Sequence, residues 1–132
     1  MSKLYIAGPM RNVPYLGFHK FITAKDWLII EGYEVCSPVD LDIAAGFNAL
    51  DMPEDSDWSV IPAELDLKEI MKRDIAALLE CDGVYMLSGW STSVGARAEH
   101  AVSIWAKQFQ MYEDKESMIL TDSPSTDRSI RG

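Results

Sequence analysis

A chain of 132 residues, 48% of them apolar, has the size of one domain around one core. With 12 basic and 21 acidic residues its net charge is 12 − 21 = −9, which argues against nucleic acid or an anionic membrane as the main partner, because both select a basic surface. A small anion, held locally by a helix terminus or an arginine, remains compatible with that charge.

The predicted elements alternate between strands and helices. Lys3–Ala7 reads as a first strand ended by Gly8-Pro9, and residues 10–14 as a loop carrying Met10, Arg11 and Asn12. Residues 15–31 keep helical spacing at Phe18, Phe21, Ile22, Leu28 and Ile29, with Lys20 and Asp26 on the other side, and Gly32 closes the helix. A second strand over residues 33–37 is stopped by Pro38. Residues 40–62 have weak periodicity and an acidic run from Asp51 to Asp57, and are expected to form a long loop of the lid or binding type. Trp58 within it either anchors the loop or covers a ligand.

Residues 63–80 read as the next helix. Leu67, Ile70, Met71 and Leu78 fall on one stripe, and Asp74 falls on the same stripe. A carboxylate there is costly unless paired or used, so Asp74 is either bonded to a neighbour such as Arg73 or Lys72, or functional. Residues 82–87 read as a strand buried on both faces, residues 94–108 as a helix, and Phe109–Tyr112 as a fourth strand. Residues 113–120 suggest a short helix or edge segment, and residues 121–132 a polar tail. The order is that of a single doubly wound, Rossmann-like α/β domain over residues 1–120, with a four- to five-stranded parallel sheet flanked by helices and ligands at the carboxyl ends of its strands.

Cys36 and Cys81 lie in or beside apolar runs, so reduced, buried thiols of a cytoplasmic protein are expected. No His, Cys or carboxylate cluster has ligand spacing, and neither a metal nor a cofactor is implied. No apolar run approaches ~18 residues, and Met1-Ser2-Lys3 leads straight into a strand; neither a membrane span nor a signal peptide is expected.

The stretch 87–100, LSGWSTSVGARAEH, carries the chemistry. Strand, Gly/Ser turn and helix start converge there, an arrangement that binds anions through unpaired N–H groups and the positive end of the helix dipole. Ser91, Thr92 and Ser93 can cap the helix. Glu99 shares a face with Gly95, Val102 and Ala106, which turns its carboxylate either inward or onto the rim, and the dipole is expected to favour its ionised form. His100 points elsewhere and reads as structural or surface. Two inward carboxylates, Glu99 and Asp74, suit substitution at a sugar carbon: one attacks the anomeric carbon while an acid protonates the leaving group, burial helping Asp74 to hold that proton.

Four local patterns resemble the nucleoside 2-deoxyribosyltransferase-like superfamily, which includes 2'-deoxynucleoside 5'-monophosphate N-hydrolases. They are Tyr5-Ile6-Ala7-Gly8-Pro9-Met10-Arg11, Arg73-Asp74, Cys81-Asp82-Gly83-Val84, and Ser93-x-Gly95-x-x-x-Glu99. The resemblance implies Glu99 as nucleophile at C1', Asp74 handling the base or its proton, and Tyr5 orienting Glu99. It also implies Gly8, Arg11, Ser93 and Gly95 around the sugar and a 5'-phosphate, with Met10 of the same loop a further substrate-binding residue; Trp90 and residues 40–62 depart from the hydrolases, without a counterpart there, and are expected to shape base selection. Serine at 93 favours a nucleotide over a nucleoside, since an acid there would repel phosphate. The implied activity is hydrolysis of the base–sugar bond of a (deoxy)nucleoside 5'-monophosphate by a homodimer or higher homo-oligomer. Base exchange between nucleosides and non-catalytic nucleotide binding are the alternatives.

Overall fold

The computed structural model describes residues 2–56 and 66–114. Its four strands are β1 (Lys3–Ala7), β2 (Glu34–Cys36), β3 (Gly83–Met86) and β4 (Phe109–Tyr112), and its four helices are α1 (Phe18–Ile30), α2 (Pro38–Ala44), α3 (Leu67–Leu79) and α4 (Val94–Trp105). The strands form one sheet in the order β2-β1-β3-β4, parallel at every pairing. Both faces are covered, as an all-parallel sheet requires. Leu4, Ile6, Tyr85 and Leu87 pack with Phe18, Phe21, Leu28 and Val39 on the α1–α2 side. Tyr5, Ala7, Val84 and Met86 pack with Leu78 and Ala96 on the α3–α4 side.

The expected α/β doubly wound fold is therefore present, with four strands. From β1 the chain crosses to β2 on one side, then returns to β3 on the other side of β1. Ligands of open α/β sheets bind where such connections diverge, at the carboxyl ends of the two central strands.

Several expected elements shift. Residues 38–44 are a helix, not the start of a long loop: Ser37 caps it by accepting from the Val39 N–H at 3.2 Å, and Pro38 takes the first helical position. A 3-10 turn follows at Ala49–Asp51, and the Tyr15 N–H donates to the Glu54 carbonyl at 2.9 Å, tying this segment to the loop after β1. Helix α1 begins at Phe18 because Tyr15, Leu16 and Gly17 all take left-handed backbone angles. Ile29, expected on its apolar face, is exposed. So are Leu67 and Met71, and the α3 stripe reaches the core only at Leu78. A helix of 13 residues is about 20 Å long, whereas strands of three to five residues span about 10–16 Å, so the sheet does not underlie all of α3. Trp58, residues 63–65 of the expected third helix, and the segment 115–132 lie outside the described residues.

Gly8 ends β1 where the chain has no room for a side chain: an added Cβ would lie 2.7 Å from Cβ and Cδ1 of the buried Leu87. Gly8→Ala is expected to cost about 1–3 kcal/mol through overpacking at the β1/β3 crevice, read as a lower urea midpoint at unchanged m-value.

Candidate active site

Alternation along β1 turns Tyr5 toward the α3–α4 side, where it is fully buried. Its hydroxyl donates to Oε2 of Glu99 at 2.7 Å, joining residues 94 positions apart in sequence. Glu99 is partly buried at the rim of α4. The stripe that packs against the sheet is Ala96, His100 and Ser103, one position round from the expected face, and Ala106 is exposed. The reason is size and bonding: Ala96 and Ser103 allow close approach, and His100 Nε2 bonds the Tyr112 hydroxyl at 2.8 Å. His100 is thus a buried structural residue, and burial lowers its pKa to about 4.

Asp74 projects from α3 toward the same place. Its side chain is 15% exposed. Arg73 Nε donates to Asp74 Oδ1 at 2.9 Å, and Arg73 Nη2 lies 2.7 Å from both Asp74 Oδ1 and Asp42 Oδ1. One guanidinium therefore bridges two carboxylates, with Asp42 buried on α2. Desolvation raises the Asp74 pKa to about 6 despite the Arg73 bonds and charge, which lower it. The pairing foreseen as the structural alternative for Asp74 is present, and it leaves Oδ2 outside the Arg73 bonds.

Glu99 departs from expectation. Its pKa is raised to about 8, chiefly by desolvation; the Tyr5 bond opposes this and the Asp74 charge adds to it. The helix dipole does not keep the carboxylate ionised, because its influence fades beyond the first turn and Glu99 sits in the second. Tyr5 is raised well above the usual phenol range by burial, with the charges of Glu99 and Asp74 adding to it. Tyr5, Asp74 and Glu99 thus form one electrostatically coupled group.

Around this group, Ser93 caps α4, accepting from the Ala96 N–H at 3.1 Å, so its hydroxyl proton is still able to donate. Gly95, one turn above Glu99, faces open space, and an added Cβ would meet nothing within 4 Å. Val94 and Gly95 supply first-turn N–H groups that have no intrahelical acceptor. The Ser88 N–H, in the turn after β3, donates to Glu113 Oε1 at 2.7 Å. Arg11 is exposed beside Asn12, whose φ is 61°. Met10 packs against the α1–α2 core. Trp90, expected to shape base selection, is 5% exposed, and its ring centroid lies 4.4 Å from that of His100. Its indole N–H is buried with no acceptor among the described residues.

Asp42 and Glu113 were not legible as site residues. Asp42 follows Val39 by three on a helix announced by Ser37-Pro38, a signal available in the sequence; nothing local marks Glu113.

A four-stranded parallel sheet with helices on both faces, and with a tyrosine and two carboxylates gathered on its α3–α4 side, defines a Rossmann-like α/β protein with a candidate acid–base site. Residues 2–111 match the family described as a domain of unknown function, DUF4406, and the chain belongs to that family. No curated protein and no solved structure matches it. Among the described residues, no helix is long and apolar enough to cross a membrane.

Proposed function

We propose that this protein hydrolyses the N-glycosidic bond of a (deoxy)nucleoside 5'-monophosphate. The observation that carries the reading is the 2.7 Å bond from the Tyr5 hydroxyl to Glu99 Oε2, beside Asp74 and below the open first turn of α4. The resemblance of the Ser93-x-Gly95-x-x-x-Glu99 element to the deoxyribosyltransferase-like superfamily supports the same assignment.

In this mechanism ionised Glu99 attacks C1', the C1'–N bond breaks, and protonated Asp74 gives its proton to the leaving base. Water then attacks the sugar ester, returns a proton to Asp74 and frees Glu99. The products are a free base and a sugar 5-phosphate. Tyr5 holds the attacking carboxylate in place. Ser93 and the first-turn N–H groups of α4 meet the phosphate, where a hydroxyl donates and a carboxylate would repel.

The pKa order has a consequence for rate. With Glu99 at about 8 and Asp74 at about 6, the reactive arrangement, Glu99 ionised and Asp74 protonated, is the less populated one, on the order of 1% near neutrality. The pH profile of kcat/KM is expected to be a bell with limbs near those two values. Tyr5→Phe removes a bond that lowers the Glu99 pKa, so the alkaline limb moves upward and the neutral-pH rate falls by roughly 10-fold.

The reading is tested by incubating the protein with single nucleoside 5'-monophosphates and the matching nucleosides and measuring free base by chromatography. Release from a monophosphate, weaker from its nucleoside, is the expected result. Release only when a second free base is supplied would replace hydrolysis by base exchange, and no release from any of them would end the proposal.

A further inference from the structure

One stripe of α3 carries more than the carboxylate chemistry uses. Leu67, Met71, Asp74 and Leu78 follow at intervals of four, three and four residues and share one face of the helix. Burial falls along that stripe. Leu78 is 0% exposed in the α3–α4 core, the Asp74 side chain is 15% exposed, and Met71 and Leu67 are 55% and 53% exposed. The topology gives the reason. A helix between two parallel strands runs back against them, so the first turns of α3 and α4 stand at the carboxyl edge of the sheet. Met71 and Leu67 extend past that edge with the face that lower down meets the core.

Helix α4 leaves the matching side open. α3 and α4 pack on each other, and both pack on β1. Gly95, one turn before Glu99 on the same face, would meet nothing within 4 Å if it carried a Cβ. Val94 beside it is 77% exposed. An apolar opening therefore lies at the carboxyl edge, with Asp74 one turn along from Met71 and Glu99 one turn along from Gly95. Lys68, Glu69 and Lys72, the charged residues nearest to Met71 in α3, fall on its other faces, and Lys72 pairs with Glu69 at 3.2 Å.

We propose that Met71 and Leu67 are the shelf on which the leaving base lies, and that Met71 sets which bases the site accepts. That the ligand is a base rests on the glycosidase reading. In that mechanism Asp74 gives its proton to the base, so the base comes within hydrogen-bond reach of the Asp74 carboxyl. Arg73 takes Oδ1, which leaves Oδ2 for the transfer. A side chain three residues before Asp74 on the same helix face then lies beside the base. A heterocyclic base has apolar faces and polar edges, so its face suits the shelf while its edge meets Asp74. The Met71 thioether fits this contact, because its polarisable sulfur packs on aromatic rings and its unbranched chain adapts to rings of different size. Contact of this kind reads size, not hydrogen-bond pattern, and discrimination between bases is expected to be shallow.

The experiment labels the methionine methyl groups of the full chain with carbon-13 and assigns the Met71 signal with Met71→Leu. Glu99→Gln protein, in which the nucleotide survives, is titrated with purine and pyrimidine nucleoside 5'-monophosphates and, separately, with ribose 5-phosphate. The Met71 methyl signal is expected to move upfield with the nucleotides, through the ring current of the base, and to stay in place with ribose 5-phosphate. In the otherwise unaltered protein, Met71→Ala is expected to raise KM by about 10-fold with kcat within about 2-fold, and Met71→Leu to bring KM back to within about 3-fold. The purine-to-pyrimidine ratio of kcat/KM should rise in Met71→Ala by roughly 3- to 10-fold, because a purine fills more of the space left. Met71 is half-exposed, so urea midpoints should hardly change.

A Met71 signal that stays in place with every nucleotide, or moves equally with ribose 5-phosphate, would overturn the shelf even where base release is observed. A shift with nucleotides in a protein that releases no base would keep the shelf and end the glycosidase reading. Unchanged KM in Met71→Ala, together with a smaller sedimentation coefficient, would also overturn the shelf, by making the stripe an interface between copies of the chain.

Discussion

Glu99→Gln is expected to lower base release from the nucleotide substrate by about 10³-fold or more in kcat/KM, because a neutral amide neither attacks C1' nor accepts from Tyr5 as a carboxylate does. The same substitution is expected to stabilise the fold at alkaline pH. A carboxyl whose folded pKa is raised to about 8 from 4.5 is neutral in both states at low pH. As pH climbs from 4.5 toward 8, the unfolded chain ionises more readily, and native stability falls. Glutamine has no such dependence. Urea midpoints for the variant should therefore exceed those of the unaltered protein near pH 8 and converge with them near pH 4. His100 contributes the opposite limb: its pKa is lowered from 6.5 to about 4, so protonation of the unfolded chain removes stability as pH falls through that window. A protein inactive yet more stable at pH 8 would mark Glu99 as a residue kept for chemistry at the expense of the fold.

Arg73→Ala is expected to destabilise the protein by about 3 kcal/mol, the lower end of what breaking a buried ion pair costs. Its guanidinium is 25% exposed, but the Asp42 side chain it serves is 6% exposed and loses its charged partner. Asp42 is already raised by desolvation and held down only by Arg73. Without the arginine it takes up a proton more readily, so the loss of stability grows with pH and shrinks below about pH 4. Replacing both partners, Asp42→Leu with Arg73→Met, should recover most of the stability, since well-packed apolar residues commonly match a buried ion pair. Activity should stay low in that double variant, because Asp74 also loses the bond that fixes its Oδ1. Recovery of stability without recovery of turnover separates the positioning role of Arg73 from its structural one.

The sheet was the most legible part of the chain. β1, β3 and β4 are short apolar runs bounded by Gly, Asp or Gln, and their order with intervening helices leaves few topologies for a parallel sheet. Helix α2 was missed because its start signal, Ser37-Pro38, also reads as the stop of β2, and its seven residues are too few for periodicity to register. Faces were less legible than elements. The i+3/i+4 rule turned the Glu99 carboxylate either inward or onto the rim, and its bond to the buried Tyr5 hydroxyl points it inward, although a shift of one residue, about 100° on a helix, sets Glu99 beside the fully buried stripe of Ala96, His100 and Ser103. The bond from Tyr5 to Glu99 spans most of the chain, and no local spacing encodes it; it was expected only through the resemblance. The packing of Trp90 against His100 and Tyr112 was equally illegible, because it joins a turn, a helix and a strand that no local spacing relates. The raised pKa of Glu99 could not be read from sequence, because it depends on how much water reaches the carboxylate.

The central claim is that Glu99 is the group through which a nucleotide loses its base. Mass spectrometry of the products formed from a pool of nucleoside 5'-monophosphates, with the unaltered protein and Glu99→Gln run in parallel, tests it most directly. A free base and its sugar 5-phosphate, formed by the unaltered protein and absent with the variant, is the predicted result. Equal release by both proteins, or no release by either, would contradict it.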